Sequence, residues 1–350
     1  MERMLKNDLL LPYQKDIGDA AQHFGNISPF IREQIKAFNT PEIDAGDYVV
    51  PYMWGTSGIL YNTHYKTADE VSTWACLWDT GNKGKILMKD SYWDAYNVAV
   101  IYGFYDQIAS GRRTIYQVAN DHTPQDIEMA EQQLKALKPN LAGWEADFGK
   151  EMMTKGEIWL SYAWSGDAVW AIDEAQSVNV TLDYVVPEEG SNVWFDGWVI
   201  PKYARNQKAA SYFLSFLCQS EAALRNMDVS GFTSAIGTPE IAEAMADSTL
   251  EKTVNLSYFF GPGHDSLKLN HIQYPDRSIV DRCATINDFL DKNDTVLEMW
   301  SRAKGDSLNK GMAVAILLFL AVVSSWLIVS RLKKFFGKQR RFAKLKTSSS

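Results

Sequence analysis

The pattern of apolar and polar positions along the chain predicts strands that alternate with helices. Apolar runs over residues 48–62 predict two strand segments, separated by a turn at Gly55–Gly58. The clearest helix follows Thr123, a favourable N-cap residue, with Pro124 at the first helical position. Its apolar residues recur on one face: Ile127, Ala130, Leu134 and Leu137. A further helix is predicted over Thr285–Ala303, and the alternation as a whole indicates an α/β fold.

One uncharged run near the C-terminus has the length of a membrane span. Gly311–Val329 holds 19 residues, which at ~1.5 Å per residue form a helix of about 28 Å, close to the ~30 Å hydrocarbon core. Residues 331–346 follow with eight Lys or Arg and no acid. The positive-inside rule places such a tail in the cytoplasm. We therefore expect residues 1–310 to lie outside the cytoplasm.

The body that precedes this run is acidic. Residues 1–310 carry 43 acidic and 27 basic side chains, a net charge of −16. Such a surface argues against nucleic acid as a partner and is compatible with cationic ligands. The three cysteines are widely spaced, and the five histidines form no HExxH motif. The sequence also lacks a GxSxG elbow, a P-loop and a GxGxxG loop, so we expect no enzyme activity, no cofactor and no metal.

The N-terminal residues do not resemble an export signal. Met1–Asp8 contains two acids and no apolar stretch of the required length. A body outside the cytoplasm needs such a signal. The sequence therefore favours a chain that is part of a longer or split polypeptide.

The run Val193–Trp198 places one carboxylate, Asp196, between the indoles of Trp194 and Trp198. This arrangement suits an organic cation. Carboxylate oxygens accept charge-assisted hydrogen bonds, and indole faces attract an ammonium group by ~0.5–2 kcal/mol per contact. The residues alone leave another interpretation open, in which both indoles lie on one face of a buried strand and Asp196 is solvated.

Five segments, in this order and at this spacing, make the chain resemble the spermidine/putrescine-binding proteins of bacterial ABC importers. They are Tyr48–Gly55, Trp74–Trp78, Lys83–Met88, Trp164–Asp167 and Trp194–Ile200. The resemblance implies a type II periplasmic-binding-protein fold, in which two α/β lobes are joined by hinge strands and hold the ligand in the cleft between them.

Together with the apolar run, the resemblance implies a division of the chain. The expected parts are lobe 1 (residues 1–54 and 197–305), lobe 2 (55–196), a linker (306–310), a transmembrane helix (311–330) and a basic cytoplasmic tail (331–350). The family begins with a strand–helix–strand unit, and nothing before Tyr48 matches it. Lobe 1 is therefore expected to be incomplete at its N-terminus and to lack one wall of the ligand site.

The resemblance also implies which residues bind the ligand: Asp196, Trp194, Trp164, Asp94, Ser91, Phe232 and Asp281. Asp196 and Asp94 fall where the family places acids for amines, and Trp194 and Trp164 fall where indoles enclose the methylene chain. Ser91 stands where polyamine binders often carry a second carboxylate. Phe232 lies near a family tyrosine, and Asp281 falls near a late polar contact.

The implied function is that of an extracytoplasmic substrate-binding component. It would capture a polyamine in the cleft and deliver it to ABC permease subunits, with the C-terminal helix anchoring it to the cell membrane. Two alternatives stay open: a truncated, membrane-tethered binding module without transport activity, and a binder of another small solute.

Overall fold

Helices and strands alternate along the chain, as the apolar pattern predicts. The computed structural model describes residues 1–305, together with Leu318 and Trp326. Its strands are β1 (Leu10–Leu11), β2 (Val49–Asn62), β3 (Ile86–Lys89), β4 (Leu141–Glu145), β5 (Leu160–Trp164), β6 (Leu182–Val185), β7 (Ser191–Pro201), β8 (Thr233–Ser234) and β9 (Cys283–Ala284). Its helices are α1 (Glu2–Lys6), α2 (Pro29–Lys36), α3 (Tyr92–Gly103), α4 (Tyr105–Ala109), α5 (Ile115–Asn120), α6 (Pro124–Leu137), α7 (Gly149–Thr154), α8 (Ser165–Gln176), α9 (Gln207–Leu217), α10 (Ser220–Ser230), α11 (Pro239–Ala244), α12 (Ser257–Phe260), α13 (Arg277–Val280) and α14 (Asn293–Lys304).

The predicted membrane span and basic tail lie outside the described residues, apart from Leu318 and Trp326. In the part of the chain that is described, no helix combines the length and the apolar character that crossing a bilayer requires. The transmembrane helix therefore stays a prediction from the sequence.

Strand β2 joins two lobes of the body. Its first half, Val49–Thr56, pairs antiparallel with β7, and its second half, Ser57–Asn62, pairs antiparallel with β5 and β6. Val50 in the first half packs into one apolar core, whereas Ile59 in the second half packs into another. The chain thus has the two-lobe α/β architecture that the sequence predicts.

The turn predicted at Gly55–Gly58 is wrong, because β2 runs through this segment without a break. The two glycines mark close approaches instead. A Cβ atom on Gly55 would lie 2.7 Å from Trp194 Cζ2, and one on Gly58 would lie 2.3 Å from the carbonyl oxygen of Val185. Glycine inside a strand often has this role, since its missing side chain leaves room for a neighbour.

Helices α6 and α3 each begin with a side-chain cap, and the sequence indicates the first of them, at Thr123. The hydroxyl of Thr123 accepts from the N–H of Asp126, and the Asp126 carboxylate accepts from the N–H of Thr123, so a capping box starts α6. Ser91 starts α3 in a similar way, because its hydroxyl accepts from the N–H of Asp94 at 3.4 Å. This cap fixes Asp94 in the first turn of α3.

The helix predicted over Thr285–Ala303 is only half correct, since α14 begins at Asn293. Two of the residues before Asn293 form hydrogen bonds with other segments of the chain. Thr285 Oγ1 donates to Gln34 Oε1, and the N–H of Asn287 donates to Asn120 Oδ1. Leu290 has a left-handed φ of 46°, which breaks a helix. Helix α14 then packs on α6, and its Val296, Met299 and Ala303 enter the second core.

The sheet has the order β1-β7-β2-β5-β3-β4, with β3 parallel to both of its neighbours. Between β2 and β7 the register shifts. Pro51 opposes Gly197 and Trp54 opposes Phe195, so Tyr52 and Met53 on β2 face Asp196 alone on β7. This β-bulge lies directly opposite the carboxylate that the sequence singles out.

Candidate binding site

A cleft of about 400 Å³ lies along β7 and receives side chains from both lobes. Strand β7 contributes Trp194 and Asp196, and the first turn of α3 contributes Trp93 and Asp94. Two further acids line it, Glu2 and Asp288. Within the described chain, the lining of this cleft includes no Lys, Arg or His. The cleft is therefore an acidic, aromatic space.

Asp196 lies at the β-bulge, on the same face of β7 as Trp194 because alternate residues of a strand share a face. Bulges are frequent next to binding sites because they redirect a side chain. Among the described residues, no hydrogen bond or ion pair to the Asp196 carboxylate is present. Its oxygens are thus available to an incoming donor.

The surroundings of Asp196 raise the pKa of its carboxyl above the ordinary value, and the cause is desolvation by the neighbouring groups. The residue itself remains exposed toward the cleft. The raised pKa and the exposure of Asp196 are compatible, because a side chain can contact solvent on one side while apolar groups exclude water from the other. A cation that approaches this carboxylate would compensate for the lost hydration.

Asp94 is held at the floor of the cleft by two donors from β5. Tyr162 donates its hydroxyl hydrogen to Asp94 Oδ1 at 2.6 Å, and Trp164 Nε1 donates to the same oxygen at 3.3 Å. Burial, reinforced by the Asp94 charge, raises the pKa of Tyr162 well above its ordinary value, so the phenol remains protonated and donates. Oδ1 is therefore fixed, and Oδ2 is left for other partners.

Trp194 forms a wall of the cleft and is fixed from behind. Its Nε1 donates to the carbonyl oxygen of Thr56 at 3.3 Å, and its ring meets Phe232 edge to face at a centroid distance of 5.7 Å. Phe232 in turn packs on Gly166, where a Cβ atom would lie 2.3 Å from its ring. Phe232 thus supports Trp194 from outside the cleft lining.

Trp164 lies behind Asp94 and does not line the cleft. A cation of the protein itself covers its ring, because Lys89 Nζ lies 4.3 Å from the ring centroid. Lys89 is buried and pairs with Glu145 at 2.8 Å and with Asp167 at 3.3 Å. In this structure Trp164 positions Asp94 by hydrogen bonding, and its role as a wall of the ligand site stays a prediction.

Two further predicted residues, Ser91 and Asp281, also lie outside the cleft lining. The hydroxyl of Ser91 caps α3, as described above. Asp281 is exposed, pairs with Arg277 at 2.8 Å and lines a different surface depression, which also contains Glu33 and Tyr258. Their roles as ligand residues remain predictions that no contact in the described chain supports.

Several cleft residues were missed by the sequence reasoning. Trp93 precedes Asp94 and could have been noticed, because an indole next to an acid repeats the pattern of Trp194 and Asp196. Asp288 and Glu2 carry no such signal, since they come from opposite ends of the described chain. They meet because Arg3 binds Asp288 through both Nε and Nη2, at 2.7–3.0 Å.

The chain is similar in sequence to known polyamine-binding proteins. The spermidine/putrescine-binding periplasmic protein of Escherichia coli is 27% identical over 242 residues, which are 69% of this chain and 61% of that protein. A putrescine-binding periplasmic protein of Pseudomonas aeruginosa is 27% identical over 213 residues, 57% of this chain and 55% of that protein. The chain therefore spans roughly three fifths of the length of the curated relatives that it matches.

Among solved structures, the fold matches the spermidine/putrescine ABC transporter substrate-binding protein of Streptococcus pneumoniae. The TM-score is 0.64 at 24% identity, over 87% of this chain and 80% of that one. At this identity the likeness concerns the fold, and it agrees with the two-lobe α/β architecture. Residues 2–253 match the family of bacterial extracellular solute-binding proteins.

This family consists of solute-binding proteins, so the prediction that the chain is not an enzyme is confirmed, as is its resemblance to the polyamine-binding proteins. The match covers most of the chain. The chain belongs to the bacterial extracellular solute-binding protein family.

Proposed function

We propose that this chain binds a polyamine, such as putrescine or spermidine, in the cleft between its lobes. The observation that carries the proposal is that Asp94 and Asp196 line one cleft together with Trp93 and Trp194, while no basic side chain lines it in the described chain. A polyamine is positively charged at its nitrogens and apolar between them. Separated carboxylates and intervening indoles complement both features.

The two acids would act on different parts of the ligand. Asp94 is fixed through Oδ1 by Tyr162 and Trp164, so its other oxygen has a defined direction. Asp196 has no partner of its own among the described residues and can adapt to the second amine. Because one acid comes from α3 and the other from β7, a bound diamine would connect the lobes and favour their closure.

In the cell, we propose that the chain delivers its ligand to the permease of an ABC importer from the extracytoplasmic side. The relatives from Escherichia coli and Pseudomonas aeruginosa are named as periplasmic polyamine-binding proteins. The apolar run Gly311–Val329 would anchor the body in the cell membrane, and the basic residues after it would lie in the cytoplasm.

The division into lobes is part of the same proposal. The boundaries expected from the sequence are 1–54 and 197–305 for the first lobe and 55–196 for the second. We propose two changes: β7 joins the first lobe, because its Val193 and Ile200 pack into the same core as Val50, and α14 leaves it. We assign α14 to the second lobe, since its apolar residues pack into the core formed by α3 and α6. The C-terminal end of the body would then move with the second lobe.

A second candidate is a tethered binding module that does not take part in transport. The observation in its favour is that the chain spans roughly three fifths of the length of its curated relatives. Uptake of labelled putrescine by cells that express the chain together with the permease of a polyamine ABC importer separates the two candidates, because the module would bind the ligand without supporting uptake.

Calorimetric titration of the full chain tests the binding proposal directly. Putrescine and spermidine should bind, whereas 1,4-butanediol, which has the length of putrescine but no charge, should not. An anionic control of the same length, succinate, should be rejected as well. Equal binding of the diol and the diamine would show that the acids of the cleft do not recognise the ligand.

A further inference from the structure

Four acids line the cleft, and they differ in how far other groups of the protein already occupy their oxygens. The four are Glu2, Asp94, Asp196 and Asp288. An ammonium group binds best to a carboxylate whose oxygens have no other donor, because existing hydrogen bonds and ion pairs must otherwise be shared or broken. The number of unoccupied carboxylates therefore decides how many ammonium groups the cleft recognises.

Asp288 is fully engaged by donors of the chain. Arg3 Nε donates to both of its carboxylate oxygens, at 3.0 and 2.9 Å, and Arg3 Nη2 donates to Oδ1 at 2.7 Å. The N–H of Leu290 also donates to Oδ1 at 2.7 Å. Burial acts to raise the pKa of Asp288, but the hydrogen bonds from Arg3 and Leu290 outweigh it and hold the pKa below its ordinary value. Asp288 is thus an ionised carboxylate whose charge Arg3 already compensates.

Glu2 is engaged in a similar way. Lys6 Nζ lies 3.1 Å from Glu2 Oε1, and the N–H of Asp288 donates to Glu2 Oε2 at 3.0 Å. The side chains of Glu2 and Asp288 are only 15% and 16% exposed. We call these two acids, together with Arg3 and Lys6, the paired corner of the cleft. At this corner the protein supplies its own cations.

The other two acids keep unoccupied oxygens. Asp94 Oδ1 accepts from Tyr162 and Trp164, whereas its Oδ2 has no donor among the described residues. Asp196 has no hydrogen-bond or ion-pair partner on either oxygen within residues 1–305. The cleft therefore offers two carboxylates to a ligand.

A further cation of the protein lies behind Asp94. Lys89 Nζ is 4.3 Å from the ring centroid of Trp164, and this indole donates to Asp94. Lys89 is buried and paired with Glu145 and Asp167, so it is held in place. Because Lys89 already covers this face of the indole, the same face is closed to a ligand ammonium.

We propose that the cleft selects ligands with two ammonium groups, diamines such as putrescine, over triamines such as spermidine. This inference rests on the proposed function, because it requires amines to bind in this cleft. In a diamine, one ammonium group reaches Asp94 and the other reaches Asp196. The third ammonium group of a triamine meets Arg3 or Lys89 instead, and like charges in one cleft repel each other.

Three ligands separate the effect of charge from that of length in calorimetric titrations of the full chain. Putrescine has two ammonium groups, spermidine has three, and N-propylputrescine has the carbon chains of spermidine without its third amine. We expect putrescine and N-propylputrescine each to bind at least threefold more tightly than spermidine.

The possible failures of this titration can be told apart. A chain that does not bind putrescine contradicts the proposed function, and the inference with it. A chain that binds putrescine but binds spermidine as tightly or more tightly overturns the inference alone. N-propylputrescine that binds as weakly as spermidine also overturns it, because length and not charge then decides.

The paired corner itself is tested by a gain of affinity. Arg3→Met leaves Asp288 free for a third ammonium group, so spermidine affinity should rise at least fivefold while putrescine affinity changes by less than twofold. Arg112→Met is the matched control, because Arg112 forms an exposed ion pair with Asp106, also at 2.7 Å, outside the cleft lining. It should leave both affinities unchanged.

A second variant makes the test independent of a single side chain. Lys6→Met frees Glu2 and should also raise the ratio of spermidine to putrescine affinity. The side chains of Arg3 and Lys6 are 46% and 42% exposed, so both variants should fold, which circular dichroism checks. The inference is overturned if neither variant changes the ratio, or if Arg112→Met changes it equally.

Discussion

Tyr162 donates its hydroxyl hydrogen to Asp94 Oδ1 at 2.6 Å, which places a buried phenol beneath the acid of the cleft. Tyr162→Phe removes this bond and leaves Asp94 less firmly held. We expect the free energy of unfolding to fall by ~1–3 kcal/mol, and putrescine affinity to fall about fivefold because the carboxylate is no longer fixed.

The control for this variant is Tyr184→Phe. Tyr184 is also buried, and its hydroxyl lies 3.1 Å from Thr56 Oγ1, outside the cleft lining. It should lose stability and keep its affinity. Urea unfolding and calorimetry measure the two quantities, and an unchanged affinity in Tyr162→Phe would show that Tyr162 does not position Asp94.

Gly55→Ala should disturb the cleft through Trp194, because Gly55 packs against the indole ring. The new Cβ atom would lie 2.3 Å from Ser165 Oγ and 2.7 Å from Trp194 Cζ2, so the strand or the indole must move. We expect a loss of ~1–3 kcal/mol in the free energy of unfolding, together with weaker ligand binding.

Gly143→Ala is the matched control, because Gly143 is also a strand glycine and its Cβ would meet no atom within 4 Å. This substitution should be neutral or stabilise the protein by about 0.5 kcal/mol. Equal destabilisation of both variants in urea unfolding would mean that the close approach of Trp194 has no energetic importance.

Polyamine binding should depend on pH through Asp196. Desolvation raises the pKa of this carboxyl in the free protein, so it takes up a proton at a higher pH than an ordinary aspartate does. Since an ammonium group needs the ionised form, affinity should fall as the pH is lowered through that raised pKa, by up to about tenfold per pH unit. Titrations at several pH values measure this slope, and Asp196→Glu, which retains an ionisable group, should keep a pH dependence.

The stability of the fold should depend on pH through His122. This residue is buried beside Tyr96 and Phe289, and burial lowers its pKa to about 4. The unfolded chain binds a proton on this histidine near pH 6.5. Above pH 6.5 this histidine is neutral in both states and does not lower the free energy of unfolding. As the pH falls from about 6.5 to about 4, the free energy of unfolding decreases by up to about 3 kcal/mol.

Chemical unfolding between pH 7 and pH 4 measures this dependence. His122→Asn should flatten the part of the curve that this group causes, and asparagine suits the left-handed φ of 48° at this position. The assignment would be contradicted by a variant whose stability changes with pH as steeply as that of the wild type.

The sequence predicted much of the fold because local signals coincide with the tertiary structure. Thr123 starts α6 through local hydrogen bonds that depend on neighbours in the sequence. The glycines at 55–58 were misleading, since a strand glycine can indicate either a turn or a close contact. The distinction depends on Trp194, which comes from a distant segment.

Distance along the sequence also decided which residues of the site could be predicted. Trp194 and Asp196 could be recognised together because they are two residues apart on one strand, and both line the cleft. Asp288 was missed because it lies in the short segment after β9 and is held by an ion pair with Arg3, which is distant in the sequence. Asp281 was chosen from the resemblance, but the structure pairs it with Arg277 elsewhere on the surface.

Asp196 is proposed to recognise a protonated amine in the cleft, and a calorimetric comparison of two aspartate variants is the decisive experiment. Putrescine is titrated calorimetrically into the full chain, into Asp196→Asn and into Asp281→Asn, which removes an acid that lies outside the cleft. We expect Asp196→Asn to lose at least tenfold in affinity, equivalent to ~1.4 kcal/mol, while Asp281→Asn binds like wild type. Binding of putrescine to Asp196→Asn with wild-type affinity would contradict this proposal.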